Sequence, residues 1–213
     1  MTHYRLAFNG MLYEQQTNAL RHYITIILKR ADCESLTILF SSEGGSTDQG
    51  LNLYNFIKEL PLPIHMHAMG HVGSMAVPVF LAGHRRTCTP YGRFFFHAYD
   101  WGFEGRQTYD RIFEALQRLK SDIDISRKIV EKHTTISTEK LDTLYREAPT
   151  PTIFLPPEAK QYRIIHDITE LNPTGAKQEN VAVWTVDWPS SGPDQVQPSR
   201  SIWRKIYDKL CMA

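Results

Sequence analysis

The first residues of the chain alternate, with Tyr4, Leu6 and Phe8 on one side and Arg5, Ala7 and Asn9 on the other. This is the period-two pattern of a half-buried strand, and Gly10 ends it. The period then changes: Leu20, Tyr23, Ile24, Ile27 and Leu28 share one face of a helix predicted over 15–30. Leu36-Thr-Ile-Leu-Phe40 is a short, almost continuous apolar run, as in a strand covered on both faces. It runs into Ser41-Ser-Glu-Gly-Gly-Ser46, where Ser46 and Gln49 form a capping-box pair. Gly50, Leu53, Tyr54, Ile57 and Leu60 continue that helix until Pro61 stops it, and a strand follows from Ile64 to Ala68.

Next comes Met69-Gly-His-Val-Gly-Ser-Met-Ala-Val-Pro-Val-Phe-Leu-Ala-Gly83, in which glycines surround a single hydroxyl, Ser74. Met75 to Ala82 is apolar almost throughout, which predicts a short helix buried on all sides. Pro78 falls in its first turn, where backbone N–H groups have no intrahelical partner to lose. Strand and helix thus alternate with short connections, so the fold class is α/β with a largely parallel sheet. In such sheets active sites gather at the carboxyl ends of strands, where both Gly44-Gly45 and Ser74 fall.

After Gly83 a polar turn, Thr87–Thr89 and Pro90-Tyr-Gly92 lead to a strand over Arg93-Phe-Phe-Phe-His97, which delivers His97 at its end. A glycine-containing loop, 98–107, leads to a long helix from about Thr108 to His133. Its apolar Ile112, Phe113, Leu116, Leu119, Ile123 and Ile129 are more than a solvated arm needs, so the helix must pack on something, a second subunit included. A helix over 138–146, the proline-rich stretch 149–157, a short helix and a strand over 164–168 close the core domain. Residues 1–171 are therefore read as one domain and 172–213 as a C-terminal extension, with a candidate strand at 181–186, a linker at 189–198 and a terminal helix at 201–210.

At 213 residues the chain can bury about 70% of its unfolded surface, enough for one sizeable core. A net charge of +1 gives no reason to expect nucleic acid or an anionic membrane surface as partner. No stretch approaches the ~20 apolar residues that span a bilayer, and the polar N-terminus has no signal-peptide pattern. Cys33, Cys88 and Cys211 are too widely spaced for a disulfide framework or a zinc site, so a reducing cytoplasm is expected.

Serine catalysis needs a hydroxyl, a base within hydrogen-bond reach and backbone donors for the oxyanion. Ser74, His97 and the Gly44-Gly45 turn can supply all three. Taken alone, Ser74 reads first as an ordinary helix cap, and His97, one of nine histidines, as a satisfied structural residue. His65 and His67, two apart on one strand, could chelate a metal, but no third ligand accompanies them and an exposed strand face is expected instead. The Gly-Gly turn lacks the Gly-Lys-Ser/Thr ending of a phosphate loop.

In order, Ser42-Glu-Gly-Gly-Ser46, Gly70-His-Val-Gly-Ser-Met-Ala76, Phe96-His97 and Leu155-Pro-Pro-Glu-Ala159 resemble the proteolytic subunit of Clp protease, over about Tyr4 to Ile168. The resemblance implies the spiral of strand–strand–helix units shared with the crotonase superfamily, and serine peptidase activity without cofactor or metal. It implies Ser74 as nucleophile, His97 as general base, and the N–H groups of Gly45 and Met75 as the oxyanion hole. It makes the long helix the handle through which rings of identical subunits stack, and makes the substrate a peptide or unfolded protein. The family's third catalytic residue is an aspartate. Here its place holds Thr152 or, with a one-residue gap moved, Pro151, and no carboxylate lies between Ala148 and Pro157. The family's N-terminal axial segment has no match, which leaves an ATPase unfoldase as an open partner rather than an implied one.

Rivals follow from the same residues. The missing aspartate supports a catalytically weak or inactive homologue serving as a structural or regulatory ring subunit. An acyl-CoA enzyme of the crotonase type would rely on oxyanion donors and carboxylates, which a Ser74–His97 pair argues against. A serine–lysine peptidase would need a lysine, and none occurs between Lys58 and Lys120.

Overall fold

A computed structural model describes residues 2–147, 151–171 and 181–186. The linker and terminal helix expected beyond residue 186 lie outside the described residues. Strand β1 (Thr2–Asn9) is followed by α1 (Glu14–Leu28), β2 (Cys33–Ser42), α2 (Thr47–Lys58), β3 (Ile64–Gly73) and α3 (Ala76–Leu81). Then come β4 (Arg85–Cys88), β5 (Arg93–Phe96), α4 (Tyr109–His133), α5 (Thr138–Asp142), β6 (Thr152–Phe154), α6 (Pro156–Gln161), β7 (Asp167–Ile168) and β8 (Val181–Val186). A single sheet runs β6-β5-β3-β2-β1-β8, with β4 pairing β3 and β7. All pairs are parallel except β5 with β6.

The α/β reading holds, and so does the reason for it. Leu6 and Phe8 of β1, Leu36, Ile38 and Phe40 of β2, and Met66 and Ala68 of β3 point alternately into the core and are fully buried. Phenylalanines carry this core across the layers: Phe8 stacks on Phe40 at 5.5 Å, Phe80 of α3 meets Phe40 at 6.5 Å, and Phe94 of β5 meets Phe80 at 5.2 Å. Every residue of α3 is buried, as its unbroken apolar run requires. Ser46 caps α2, its hydroxyl accepting the Gln49 N–H at 3.4 Å.

β3 is longer than its apolar run suggested. Its first half pairs β4 through His65–Ala68, and its second half pairs β5 through His71–Gly73. The strand therefore crosses from one neighbour to the other before it reaches Ser74. The short strand β6 was not legible in the sequence, because a three-residue strand between prolines has no periodicity. The strand expected over 164–168 shrinks to Asp167–Ile168. Ile164 and Ile165 instead turn back on α6, both N–H groups donating to the Ala159 carbonyl, and their apolar side chains are buried in that turn. The helix expected over 138–146 is α5 followed by a π-helical turn, Thr143–Glu147.

Arg86 locks this half of the molecule. It is buried, and its guanidinium donates to the carbonyls of Gly83, His133, Arg163 and Ile164 at 2.9–3.2 Å. The C-terminal end of α4 is thereby tied to the turn between α6 and β7. Burial holds the Arg86 pKa down to about 10, still charged at neutral pH.

Candidate active site

Gly73 ends β3, and the next residue turns abruptly: Ser74 has φ +53°, in the left-handed region that non-glycine residues seldom occupy. Such a conformation costs of order 1–2 kcal/mol and persists only where its surroundings fix it. Here they do. The Ser74 N–H donates to the Phe95 carbonyl at 2.8 Å, and the Ser74 carbonyl accepts from Val77 at 3.0 Å in the first turn of α3. Gly44 (φ +103°) presses against the other side, where a Cβ would lie 2.8 Å from the Ser74 Cβ and 3.1 Å from the Met75 nitrogen. Only glycine allows that approach.

Ser74 is not a helix cap. The N-cap of α3 is Met75, with no side-chain capping bond, and the Ser74 hydroxyl hydrogen-bonds to none of the described residues. The Gly45 loop is clamped to the chain after β1, with Leu12 donating to the Gly44 carbonyl at 2.7 Å and Ser46 donating to the Leu12 carbonyl at 3.0 Å. Gly45 is exposed, and neither its N–H nor that of Met75 donates to a described backbone acceptor. Met75 itself is held firmly: its thioether accepts from Tyr99 at 3.5 Å and from Ser126 of α4 at 3.7 Å, and it fills the space above Gly50.

His97 lies one residue past β5, half-buried, with its ring between Phe95 at 5.5 Å and Tyr99 at 6.4 Å. Its Nδ1 is 2.7 Å from the Ala98 carbonyl oxygen. A carbonyl only accepts, so Nδ1 carries the proton and Nε2 keeps its lone pair, the tautomer a general base requires. No hydrogen bond joins Nε2 to Ser74 in this structure. The carbonyl of Ala98 has no sequence signal, since every residue has one.

The antiparallel pairing of β5 with β6 decides what stands opposite. Phe96 pairs with Thr152, so Thr152 is not level with His97, and no hydrogen bond joins the two. The ladder ends at that pair, and continuing its register by one residue would set Pro151 opposite His97. Among the described residues no carboxylate hydrogen-bonds to the imidazole. Asp167 is bound to Lys160 at 2.7 Å, which together with the Ile168 N–H holds its carboxyl below the ordinary range.

His65 and His67 do not lie on an exposed face. His67 is buried and His65 half-buried, because Thr37 of β2 and Thr87 of β4 flank the central strand and close over them. Both rings share the Thr87 hydroxyl at 2.7 Å. Among the described residues no cluster of three or more His, Cys, Asp or Glu side chains is placed to hold a metal. Burial pushes both imidazoles down to about 4. The unfolded chain therefore takes up these protons first as pH falls through 6.5. Stability conferred by the neutral rings is expected to be intact above pH 6.5 and to drain away between pH 6.5 and 4. Each ring should contribute on the order of 1 kcal/mol after allowing for remaining solvent screening. Urea midpoints measured across this range will check it, and His67→Gln should flatten the fall.

No helix among the described residues is long and apolar enough to cross a membrane. Cys33 and Cys88 are free.

Compared with known proteins, the chain matches the family model described as Clp protease over residues 4–172. It is 24% identical over 158 residues to the ATP-dependent Clp protease proteolytic subunit of Pleurastrum terricola, covering 73% of this chain and 78% of that protein. It is 25% identical over 151 residues to the ATP-dependent Clp protease proteolytic subunit 1 of Streptomyces avermitilis, covering 67% of this chain and 66% of that one. The match runs from within β1 through β7 and takes in the Gly44-Gly45 loop, Ser74 and His97, and the chain belongs to the Clp protease family.

Proposed function

We propose that this protein is a serine peptidase in which Ser74 attacks the substrate carbonyl and His97 is the base. In that mechanism Nε2 of His97 takes the Ser74 proton as Oγ bonds to the peptide carbon. The resulting oxyanion is met by the N–H groups of Gly45 and Met75. Nε2 then returns the proton to the leaving amine, the C–N bond breaks, and water attacks the acyl-enzyme by the same route. The observation that carries this reading is the strained Ser74 backbone packed against Gly44, with a hydroxyl that bonds to none of the described residues and Gly45 and Met75 N–H groups that donate to no described backbone acceptor. Strain held at one residue in this way is a feature of functional sites.

A second reading, a weak or inactive homologue that fills a structural place in a ring, draws support from two observations. Among the described residues no carboxylate hydrogen-bonds to His97, and Ser74 and His97 do not hydrogen-bond. Treatment of the purified protein with a fluorophosphonate, followed by peptide mapping, separates the two. Phosphonylation at Ser74 is the expected result; an unmodified protein supports the inactive subunit.

We further propose that the chain assembles into rings through α4. Of the apolar positions on this helix, Ile129 is core and Ile123 packs against it, whereas Ile112, Phe113 and Leu116 remain 44–49% exposed. Trp101 and Phe103 add exposed apolar surface in the preceding loop. A patch of this kind marks an interaction surface. Light scattering is expected to give a mass of many chains, and Ile112→Glu with Leu116→Glu to shrink it. A single-chain mass for the unaltered protein would exclude the assembly. An ATPase partner remains open, and nothing in the site requires one for attack on a short peptide.

A further inference from the structure

The face of β3 and β5 that carries the catalytic elbow holds a second polar pair. Val72 and Phe94 point into the core and are fully buried, so His71, Gly73, Arg93 and Phe95 take the opposite face, beside Ser74. His71 pairs with Arg93 in register, and the Arg93 Nε–H donates to His71 Nδ1 at 3.0 Å. That bond fixes the tautomer: Nδ1 gives its lone pair, so Nε2 bears the proton. Nε2 lies 2.5 Å from where a Cβ on Gly73 would stand, so this N–H sits directly over the residue preceding the nucleophile. It has no acceptor among the described residues. The ring leans on Phe95 at 5.7 Å, and Phe95 in turn leans on His97 at 5.5 Å, so the pair and the base share one wall.

Arg93 is exposed and forms no ion pair with a described carboxylate. Glu43, in the loop beside Gly44, is the carboxylate whose charge reaches His71, and it does not bond Arg93. Burial and the Arg93 charge keep His71 neutral, so it acts as a donor and not as a second cation. The terminal N–H groups of the Arg93 guanidinium and the His71 Nε2–H, on the sheet face beside Ser74 and with no acceptor among the described residues, are complementary to a carboxylate.

We propose that His71 and Arg93 form a subsite for an acidic side chain, Asp or Glu, of a peptide bound across Ser74. The proposal rests on the reading that this groove takes peptide. Two donors of this kind, one of them charged and solvent-exposed, favour a carboxylate over its amide by roughly fivefold at low salt. The preference should fade as ionic strength rises, because Arg93 is on the surface.

The test uses full-length Ser74→Ala protein, so that binding is read without turnover. Fluorescein-labelled decapeptides differing only by Glu or Gln at one position are titrated by fluorescence anisotropy. At one position the Glu peptide is expected to bind about fivefold tighter than its Gln twin. Arg93→Gln should erase the difference, and Arg93→Glu should transfer the preference to a Lys peptide. Equal binding of the Glu and Gln peptides at every position, no peptide binding at all, or a Glu preference that survives Arg93→Gln would each overturn the subsite. Fluorophosphonate labelling of the unaltered protein is run in parallel. Labelling of Ser74 without a Glu preference sinks the subsite alone, whereas Glu-selective binding without labelling keeps it and sinks the peptidase reading.

Discussion

Ser74→Ala is expected to abolish fluorophosphonate labelling and to lower peptide hydrolysis by at least about 10³-fold, with circular dichroism and assembly size unchanged. The magnitude follows from the division of labour at the site. Without Oγ no acyl-enzyme forms, and what remains is the modest help that the Gly45 and Met75 N–H groups give to direct attack by water. Alanine tolerates the left-handed backbone of residue 74 about as poorly as serine does, so a large loss of stability is not expected. The hydroxyl bonds to none of the described residues, so its removal breaks no bond among them. Equal labelling of the mutant would transfer the nucleophile to another residue and end this assignment. His97→Ala should match it in rate while leaving Ser74 in place, and a labelled but slow mutant would still identify the serine.

Pro151→Asp should raise the rate, by as much as about 10²- to 10⁴-fold. An acid beside the histidine stabilises the imidazolium formed during attack, which the Ala98 carbonyl does only through its dipole. The carbonyl already holds the useful tautomer, so the gain is expected in kcat more than in KM, and at the lower end of that range if tautomer selection is the larger part. The register of β5 and β6 makes Pro151 the position to alter, because continuing it one residue past Phe96 and Thr152 would set Pro151 opposite His97. Proline there donates no N–H, and its removal costs no ladder bond. Thr152→Asp is the control: its partner is Phe96, so a carboxylate at 152 should give little gain. A larger gain from Thr152→Asp would mean that the chain before β6 shifts by one residue when substrate binds. No gain from either, together with near-complete loss in Asp100→Asn or Asp167→Asn, would show that the acid is already present elsewhere. The Lys160 pair argues against Asp167 in that role, since a carboxylate committed to an ammonium is a poor partner for an imidazolium.

Local sequence was enough for the strand–helix alternation from β1 to α3, the α/β class and the place of Ser74 and His97 at strand ends. Those features rest on local physics: alternation in β1, the apolar runs of β2 and α3, the Ser46–Gln49 cap and the glycines about Ser74. Each is decided within a few residues of chain, where periodicity and steric freedom suffice. Tertiary structure alone decided what depends on distant segments meeting. The pairing of β6 with β5 set Thr152 opposite Phe96 and not opposite His97. The placement of β2 and β4 on either side of β3 made His67 buried and His65 half-buried, both sharing Thr87, where an exposed face was expected. The Ala98 carbonyl as partner of His97, and the His71–Arg93 pair beside Ser74, come from a main-chain atom and a cross-strand register. Neither leaves a mark in composition or spacing, because a backbone carbonyl belongs to every residue and a parallel register is set by the whole sheet.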